Sequence, residues 1–183
     1  GTRFYGTNAN GSYDFISTEN TTYVSGNNSY TVDNLLLYEG SYFKDSFVKN
    51  DNIENQRFVL SNKNIYTDSI SVSIVENNDT ANPITFTRAD NLYGLDSFST
   101  VYFLQGCENN QYEIVFGDGL FGRKPLNGAT ISVNYVITNG TDGNGVDNFT
   151  ISDNLAQSGT SVRSEEHTSE LQSHSFISYA VFC

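Results

Sequence analysis

Residues 131–138 read ISVNYVIT, and this alternation of apolar and polar side chains decides the fold class. In an extended chain one face would carry Ile131, Val133, Tyr135 and Ile137, because successive side chains point to opposite faces. Residues 69–76 repeat the pattern, with Ile70, Val72 and Ile74 on a single face. A period of two residues is typical of strands that bury one face and expose the other.

Further short segments rich in β-branched and aromatic residues predict strands at 35–38, 57–60, 100–104 and 112–116. Clusters of Asn, Asp, Gly and Ser separate these segments, and such residues favour turns. A helical period is hard to find. The sequence therefore predicts an all-β fold of short antiparallel strands and hairpins, as a sandwich-like or mixed β domain.

The charge of the chain limits the classes of partner. Its 183 residues include 21 acidic and 9 basic side chains, which give a formal net charge of −12. A nucleic-acid-binding protein needs a basic surface, so no nucleic-acid partner is expected. No apolar run approaches the roughly 20 residues of a membrane-spanning helix, so no membrane partner is expected. Because Met is absent, we expect an internal fragment of a larger protein.

The C-terminal residues stand apart from the rest. Residues 163–174, RSEEHTSELQSH, resemble the translation of a short-read sequencing adapter, which predicts that 163–183 are non-native read-through. The alternative is a polar C-terminal helix capped by Ser164. Leaving this segment out removes both histidines, one arginine and three glutamates, so the formal charge changes from −12 to −10.

These observations predict four parts. Residues 1–34 form a poorly defined N-terminal segment, either the tail of a preceding domain or a loosely packed extension. Residues 35–155 form a β-rich domain, 156–162 a linker, and 163–183 the read-through.

Motifs for chemistry are weak. Residues 117–122, GDGLFG, match the glycine fingerprint of dinucleotide sites, but Pro125 and Gly128 follow where that site needs a helix. Residues 142–147 lack the ligand and glycine positions of a calcium loop. Without histidine, residues 1–162 cannot build a His-dependent triad, and no acid pair is singled out. We therefore expect no enzyme activity, cofactor, metal or small-molecule substrate.

The segment from Tyr112 to Gly145 carries a family resemblance. It resembles the baseplate wedge proteins of T-even-type contractile-tail bacteriophages, and its FGDG, GR and GA elements are shared with the broader baseplate-J-like wedge family. The structural hairpin motif that matches comprises Phe116, Gly117, Asp118, Gly119, Gly122, Arg123, Gly128, Tyr135, Asn139 and Gly140. Segments 37–40, 57–60 and 102–105 occur in the order and spacing of the T-even-type proteins.

The resemblance implies a structural component of a phage-tail baseplate wedge, without catalysis or cofactor. It implies association with itself and with other wedge proteins in a ring around the tail tube, and a location in the virion after assembly in the host cytoplasm. Arg123 and Lys124 place two positive charges together in an acidic chain, so they are a candidate docking tip for an acidic neighbour.

A carbohydrate-binding β-sandwich of a phage or bacterial surface adhesin is the alternative. The 12 tyrosines and many asparagines favour it. A sugar site of this kind would need several tyrosines exposed together on one face.

Overall fold

The computed structural model describes residues 3–17, 24–25, 30–151, 161–164 and 174–182, with side chains for 3–17 and 35–151. The described residues contain strands and one 3-10 turn, Glu108–Asn110, but no α-helix, so the all-β prediction is confirmed. None of the described helical structure is long and apolar enough to cross a membrane. The strands are β1 Arg3–Asn8, β2 Gly11–Ile16, β3 Val24–Ser25, β4 Tyr30–Glu39, β5 Ser41–Val48, β6 Phe58–Val59, β7 Ile65–Val75, β8 Ile84–Arg88, β9 Val101–Cys107, β10 Gln111–Phe116, β11 Thr130–Ile137, β12 Asn148–Ile151, β13 Ser161–Ser164 and β14 His174–Phe182.

Backbone contacts divide the chain into two compact units. Unit 1 combines residues 1–41 with 138–183, and unit 2 comprises residues 42–137. The expected division between residues 34 and 35 falls inside β4, and the expected domain 35–155 includes parts of both units.

The sheet of unit 1 has the strand order β14-β13-β12-β1-β2-β4-β3, and β14 also pairs with β4. Strands β1 and β2 form a hairpin whose turn is closed by Asn8, since its side-chain oxygen accepts the N–H groups of Asn10 and Gly11 at 2.8 and 3.1 Å. The core includes Phe4 and Phe15, and Phe15 meets Phe149 edge to face with ring centroids 4.9 Å apart. The expectation of a poorly defined N-terminal segment is therefore wrong for residues 3–16, whose two phenylalanines are buried.

The C-terminal strands also belong to this sheet. β14 pairs antiparallel with β4 over residues that include Phe176↔Leu36 and Phe182↔Tyr30, and β13 pairs with β12. Residues 174–182 thus form a strand, because aromatic and β-branched residues favour a strand and β4 offers an edge that can pair, whereas the alternative helix after Ser164 falls on residues 165–173. Residues 165–173 of the predicted read-through and 156–160 of the predicted linker lie outside the described residues.

The sheet of unit 2 has the order β5-β11-β7-β8-β9-β10-β6. Its described pairings are antiparallel except for β8 and β9, which run parallel. Strand β7 buries Ile70, Val72 and Ile74 as the alternation predicts. Most of the core comes from strands near the centre of the sheet, and it comprises Phe58, Leu60, Ile65, Ile70, Val72, Ile74, Phe86, Tyr102, Ile114, Ala129, Ile131, Val133 and Tyr135.

Candidate docking surface

The glycine-rich segment of the motif is a crossover connection. Residues 117–129 join β10 to β11, but β10 pairs with β9 and β6, whereas β11 pairs with β7 and β5. The prediction of a β10–β11 hairpin is therefore wrong. A three-residue turn at 108–110, with Asn109 and Asn110 at positive φ, lets β9 and β10 form the hairpin instead. Strand β11, buried at Ile131 and Val133, lies between β5 and β7 in the sheet.

The turn at 117–123 is held by its own backbone and by one carboxylate. Asp118 Oδ1 accepts the N–H groups of Leu120 and Phe121 at 2.8 and 3.0 Å, and Gly119 N–H donates to the carbonyl of Gly122 at 3.0 Å. The bonds from Phe121 and Leu120 lower the pKa of Asp118. Because the Asp118 carboxylate is ionised at neutral pH, its two hydrogen bonds to the turn are charge-assisted.

Three of the motif glycines are required, for two different reasons. Gly119 and Gly122 both have φ near 94°, a conformation that other residues adopt only with strain. Gly117 lacks a positive φ, but a Cβ there would lie 2.2 Å from the carbonyl oxygen of Gly122. The two ends of the turn therefore approach too closely for any side chain at 117.

A second loop is attached to this turn. Residues 89–100 connect β8 to β9, and in this loop the carbonyl of Asp96 accepts Gly122 N–H at 2.9 Å. The carbonyl of Ser99 accepts Arg123 N–H at 2.8 Å. The Asp96 carboxylate in turn accepts the Ser99 hydroxyl at 2.7 Å and Phe98 N–H at 3.0 Å, and these bonds lower its pKa. Backbone hydrogen bonds thus join the two loops into one structure.

Large apolar side chains project from these joined loops into solvent. Tyr93 is 95% exposed, Phe98 82% and Leu120 71%. Scattered single apolar residues are ordinary on protein surfaces, but several on linked loops are typical of an interaction site. We call this set of exposed side chains on the two joined loops the apolar tip, and it comprises Leu92, Tyr93, Phe98, Leu120 and Phe121.

The two cations of the predicted docking tip have partners inside the chain. Arg123 forms an ion pair with the buried carboxylate of Glu76, and Lys124 Nζ lies 3.3 Å from Asp51 Oδ1. Lys49 Nζ lies 2.8 Å from the same oxygen of Asp51, and the hydrogen bonds from Lys49 and Lys124 lower the pKa of Asp51. Lys124 keeps half of its side chain exposed. Contact of this pair with an acidic neighbour stays a prediction.

Most other motif residues serve the packing of unit 2. Phe116 meets Phe58 and Phe86 edge to face, with centroids 5.6 and 5.4 Å away. Gly128 has a φ of 80°, and its N–H donates to the carbonyl of Lys49 at 2.7 Å.

Tyr135 is fully buried, yet its hydroxyl has polar partners. It donates to Asp45 Oδ2 at 2.8 Å and accepts from Asn62 Nδ2 at 2.9 Å. Burial, with a smaller contribution from the hydrogen bond to Asp45, raises the pKa of Tyr135 to about 12. The phenol is thus a structural donor at neutral pH.

The last two motif residues lie in unit 1. Asn139 donates from its N–H and its side-chain amide to the two oxygens of Glu39, at 2.9 and 2.7 Å. Gly140 has a φ of 71° and donates to Thr138 Oγ1 at 3.2 Å. Glu39 is buried, and its burial raises its pKa despite the bonds from Asn139.

Among the described side chains, no group of three or more His, Cys, Asp or Glu residues could hold a metal ion. The most exposed tyrosines lie on three different elements: Tyr5 on β1, Tyr42 on β5 and Tyr93 on the 89–100 loop. Neither unit by itself therefore presents more than two such tyrosines among the described side chains, whereas the adhesin alternative requires several on one face.

No protein-family model matches the chain. A curated protein does: the baseplate wedge protein gp6 of Enterobacteria phage T4 is 25% identical over 158 residues, which cover 78% of this chain. The chain is similar to a phage baseplate wedge protein. The aligned part is 23% of the relative's length, so the chain spans about a quarter of that protein.

The apolar tip is the part of this surface that the sequence analysis missed. Its residues lie in the 89–100 loop, for which no site was predicted, and in the 117–122 turn, where the prediction concerned the glycines and Asp118 and not Leu120 or Phe121. The available signal was the presence of Leu92, Tyr93 and Phe98 inside such a polar loop, where solvated side chains are the usual choice.

Proposed function

We propose that the chain is part of a structural component of a phage-tail baseplate wedge and contacts another wedge protein through the apolar tip. The similarity to a T4 baseplate wedge protein supports the class of function. The strong exposure of Tyr93, Phe98 and Leu120 on hydrogen-bonded loops supports the place of contact. The proposal includes no catalysis, cofactor, nucleic acid, membrane or small-molecule substrate.

The arrangement of the tip suits protein docking. Exposed aromatic and leucine side chains supply apolar area that a partner can bury. Because Asp96 and Asp118 fix the backbone of both loops, little conformational entropy would be lost on binding. None of the five side chains of the apolar tip is charged, so we expect the partner to offer an apolar surface.

The proposal also includes assembly. We infer that the complete gene product associates with a second copy of itself and with other wedge proteins, and that together they form the ring around the tail tube. The ring is assembled in the host cytoplasm and becomes part of the virion. Membership of the T-even-type group, with a contractile tail, is part of the same proposal.

The test is co-expression of the complete gene product with the other baseplate proteins of its phage, followed by affinity purification. The expected result is a co-purifying wedge complex. Phe98→Ser with Leu120→Ser should weaken that complex at least tenfold, as expected when buried apolar anchors are lost. Val48→Thr is the matched control, because Val48 is also exposed but belongs to β5 and is not part of the apolar tip.

A complex unaffected by the tip variants would overturn the docking site and leave the class of function standing. A protein that ignores all baseplate proteins but binds a glycan array tightly would overturn the class and favour the adhesin. In that case Tyr93, Phe98 and Phe121 would be the aromatic residues to test.

A further inference from the structure

One edge of the unit 2 sheet is only partly covered. Strand β10 pairs with β9 over six residues, from Gln111 to Phe116. On its other side it pairs with β6 at Glu113 and Ile114 alone, and Leu60 N–H adds one bond to the carbonyl of Tyr112. The last part of β10 therefore has no neighbouring strand on that side among the described residues.

The alternation of an antiparallel ladder shows which backbone groups face this open side. Since the carbonyl of Tyr112 points to the β6 side, those of Ile114 and Phe116 point the same way. Val115, in contrast, faces β9, where it is paired with Phe103. The N–H and C=O of Phe116 thus lie on an edge where the ladder with β6 has ended.

A groove runs along this edge. It has a volume of about 470 Å³ and lies between residues 49–56 on one side and Val115–Asp118 on the other. Phe58 and Phe116 contribute apolar lining. An extended segment rises about 3.3 Å per residue, so roughly four residues would cover the edge from 115 to 118.

The charges of the groove indicate the kind of segment that fits. Lys49 and Lys124 both pair with Asp51, and Arg57 pairs with Glu113 at 2.7 Å. Glu54 and Asp118 also line the groove and have no cationic partner among the described residues. The groove therefore favours a segment that carries positive charge at its ends.

We propose that β10 accepts an additional strand at Phe116, supplied by an extended segment of another protein with lysine or arginine at its ends. Main-chain hydrogen bonds to Phe116 supply the affinity, as in other cases of strand addition to an open edge. This site goes beyond the baseplate assignment, because it follows from the sheet edge and its charges alone.

The test uses this chain and a synthetic peptide, Lys-Thr-Val-Thr-Val-Lys, with amide hydrogen exchange followed by NMR. Without peptide, Phe116 N–H should exchange much faster than Val115 N–H. With free peptide at ten times its dissociation constant, exchange at Phe116 should slow about tenfold, in line with mass action. A Phe116 amide that is already as protected as Val115, or one unaffected by millimolar peptide, would show that no strand adds there.

Two controls separate strand pairing from charge. The peptide Lys-Pro-Val-Pro-Val-Lys has the same charge but cannot complete a ladder, so equal protection by both peptides would contradict strand addition.

Glu54→Lys should weaken binding of the first peptide about threefold, whereas Glu108→Lys, at the other end of β10, should leave it unchanged. Equal effects of the two variants would contradict the charge preference. None of these results depends on a baseplate partner.

Discussion

The guanidinium of Arg123 pairs with the buried carboxylate of Glu76, which follows the last residue of β7. The other oxygen of Glu76 accepts the backbone N–H of Leu126 at 3.2 Å. One carboxylate thus fastens the β10–β11 connection at two points. Since Arg123 is part of the fold, a loss of binding on its mutation would not by itself show that it touches a partner.

Replacing Arg123 by alanine should lower the free energy of unfolding by about 2 kcal/mol. The variant leaves Glu76 buried without its cation, and the partial exposure of Arg123 reduces the penalty below that of a fully buried pair. Chemical denaturation measures the change. Lys124→Ala is the control, because its partner Asp51 is exposed and already has Lys49, so its loss should be clearly smaller. Equal losses would mean that the buried ion pair adds nothing.

Alanine substitutions at three glycines of unit 2 should lower the free energy of unfolding by different amounts. Gly117→Ala should cost about 2–3 kcal/mol, since its Cβ would overlap the backbone of Gly122. Gly119→Ala should cost about 1 kcal/mol from its φ of 94° alone, because nothing lies within 4 Å of the new Cβ. At Gly106 the new Cβ would meet open space and φ is not positive, so Gly106→Ala should change the free energy of unfolding by less than about 0.5 kcal/mol. Any other order would contradict the close approach of 117 to 122.

Alternation predicted the strands of unit 2 well because their burial is one-sided. Ile70, Val72 and Ile74 are buried in β7, and Ile131 and Val133 in β11. The same rule failed at the end of β11, where the register with β7 shifts between Asn134 and Val136, and Val136 is buried although alternation placed it outside. A bulge changes which face a residue occupies, and no local pattern shows where one will occur.

Pairing between strands was harder to predict than their existence. Adjacent strands β10 and β11 are separated in the sheet because β9 pairs with β10 through a shorter turn. In the same way, Phe4 and Phe15 are buried in a core that includes Phe149, which is remote in sequence. Residues 1–34 alone contain no signal of that contact. The sequence predicted the candidate site at the glycine turn. It could not show that the 89–100 loop belongs to the same site, because the two loops are joined by backbone hydrogen bonds between residues that are distant in sequence.

Glu39 should make the stability of unit 1 depend on pH. Its pKa is raised above 4.5 in the folded chain, mainly by burial. Between 4.5 and that higher value the folded chain binds more protons than the unfolded chain, so the free energy of unfolding contributed by Glu39 falls as the pH rises through this window. The contribution is most favourable at and below pH 4.5.

The measurement is the difference in unfolding free energy between the natural chain and Glu39→Gln, followed from pH 4 to pH 7. The natural chain should lose stability relative to the variant as the pH rises, because glutamine does not titrate. Asn139→Ala should cost about 1–3 kcal/mol near neutral pH, since it removes two donors from a buried carboxylate, and should raise the pKa of Glu39 further. A difference that stays flat with pH would show that Glu39 ionises as freely as in the unfolded chain.

Deleting residues 163–183 should leave both hydrophobic cores intact. The interpretation of these residues as read-through requires that unit 1 be stable without them, and the described sheet of unit 2 contains no strand from the deleted segment. We therefore expect the free energy of unfolding of each unit to change by less than about 0.5 kcal/mol, while the amides of β4 that faced β14 exchange faster. Unit 2 serves as the internal control, because it should be unaffected whatever β14 contributes. A loss of several kcal/mol confined to unit 1 would show that the pairing of β14 with β4 is part of the fold, and would contradict the interpretation of 163–183 as read-through.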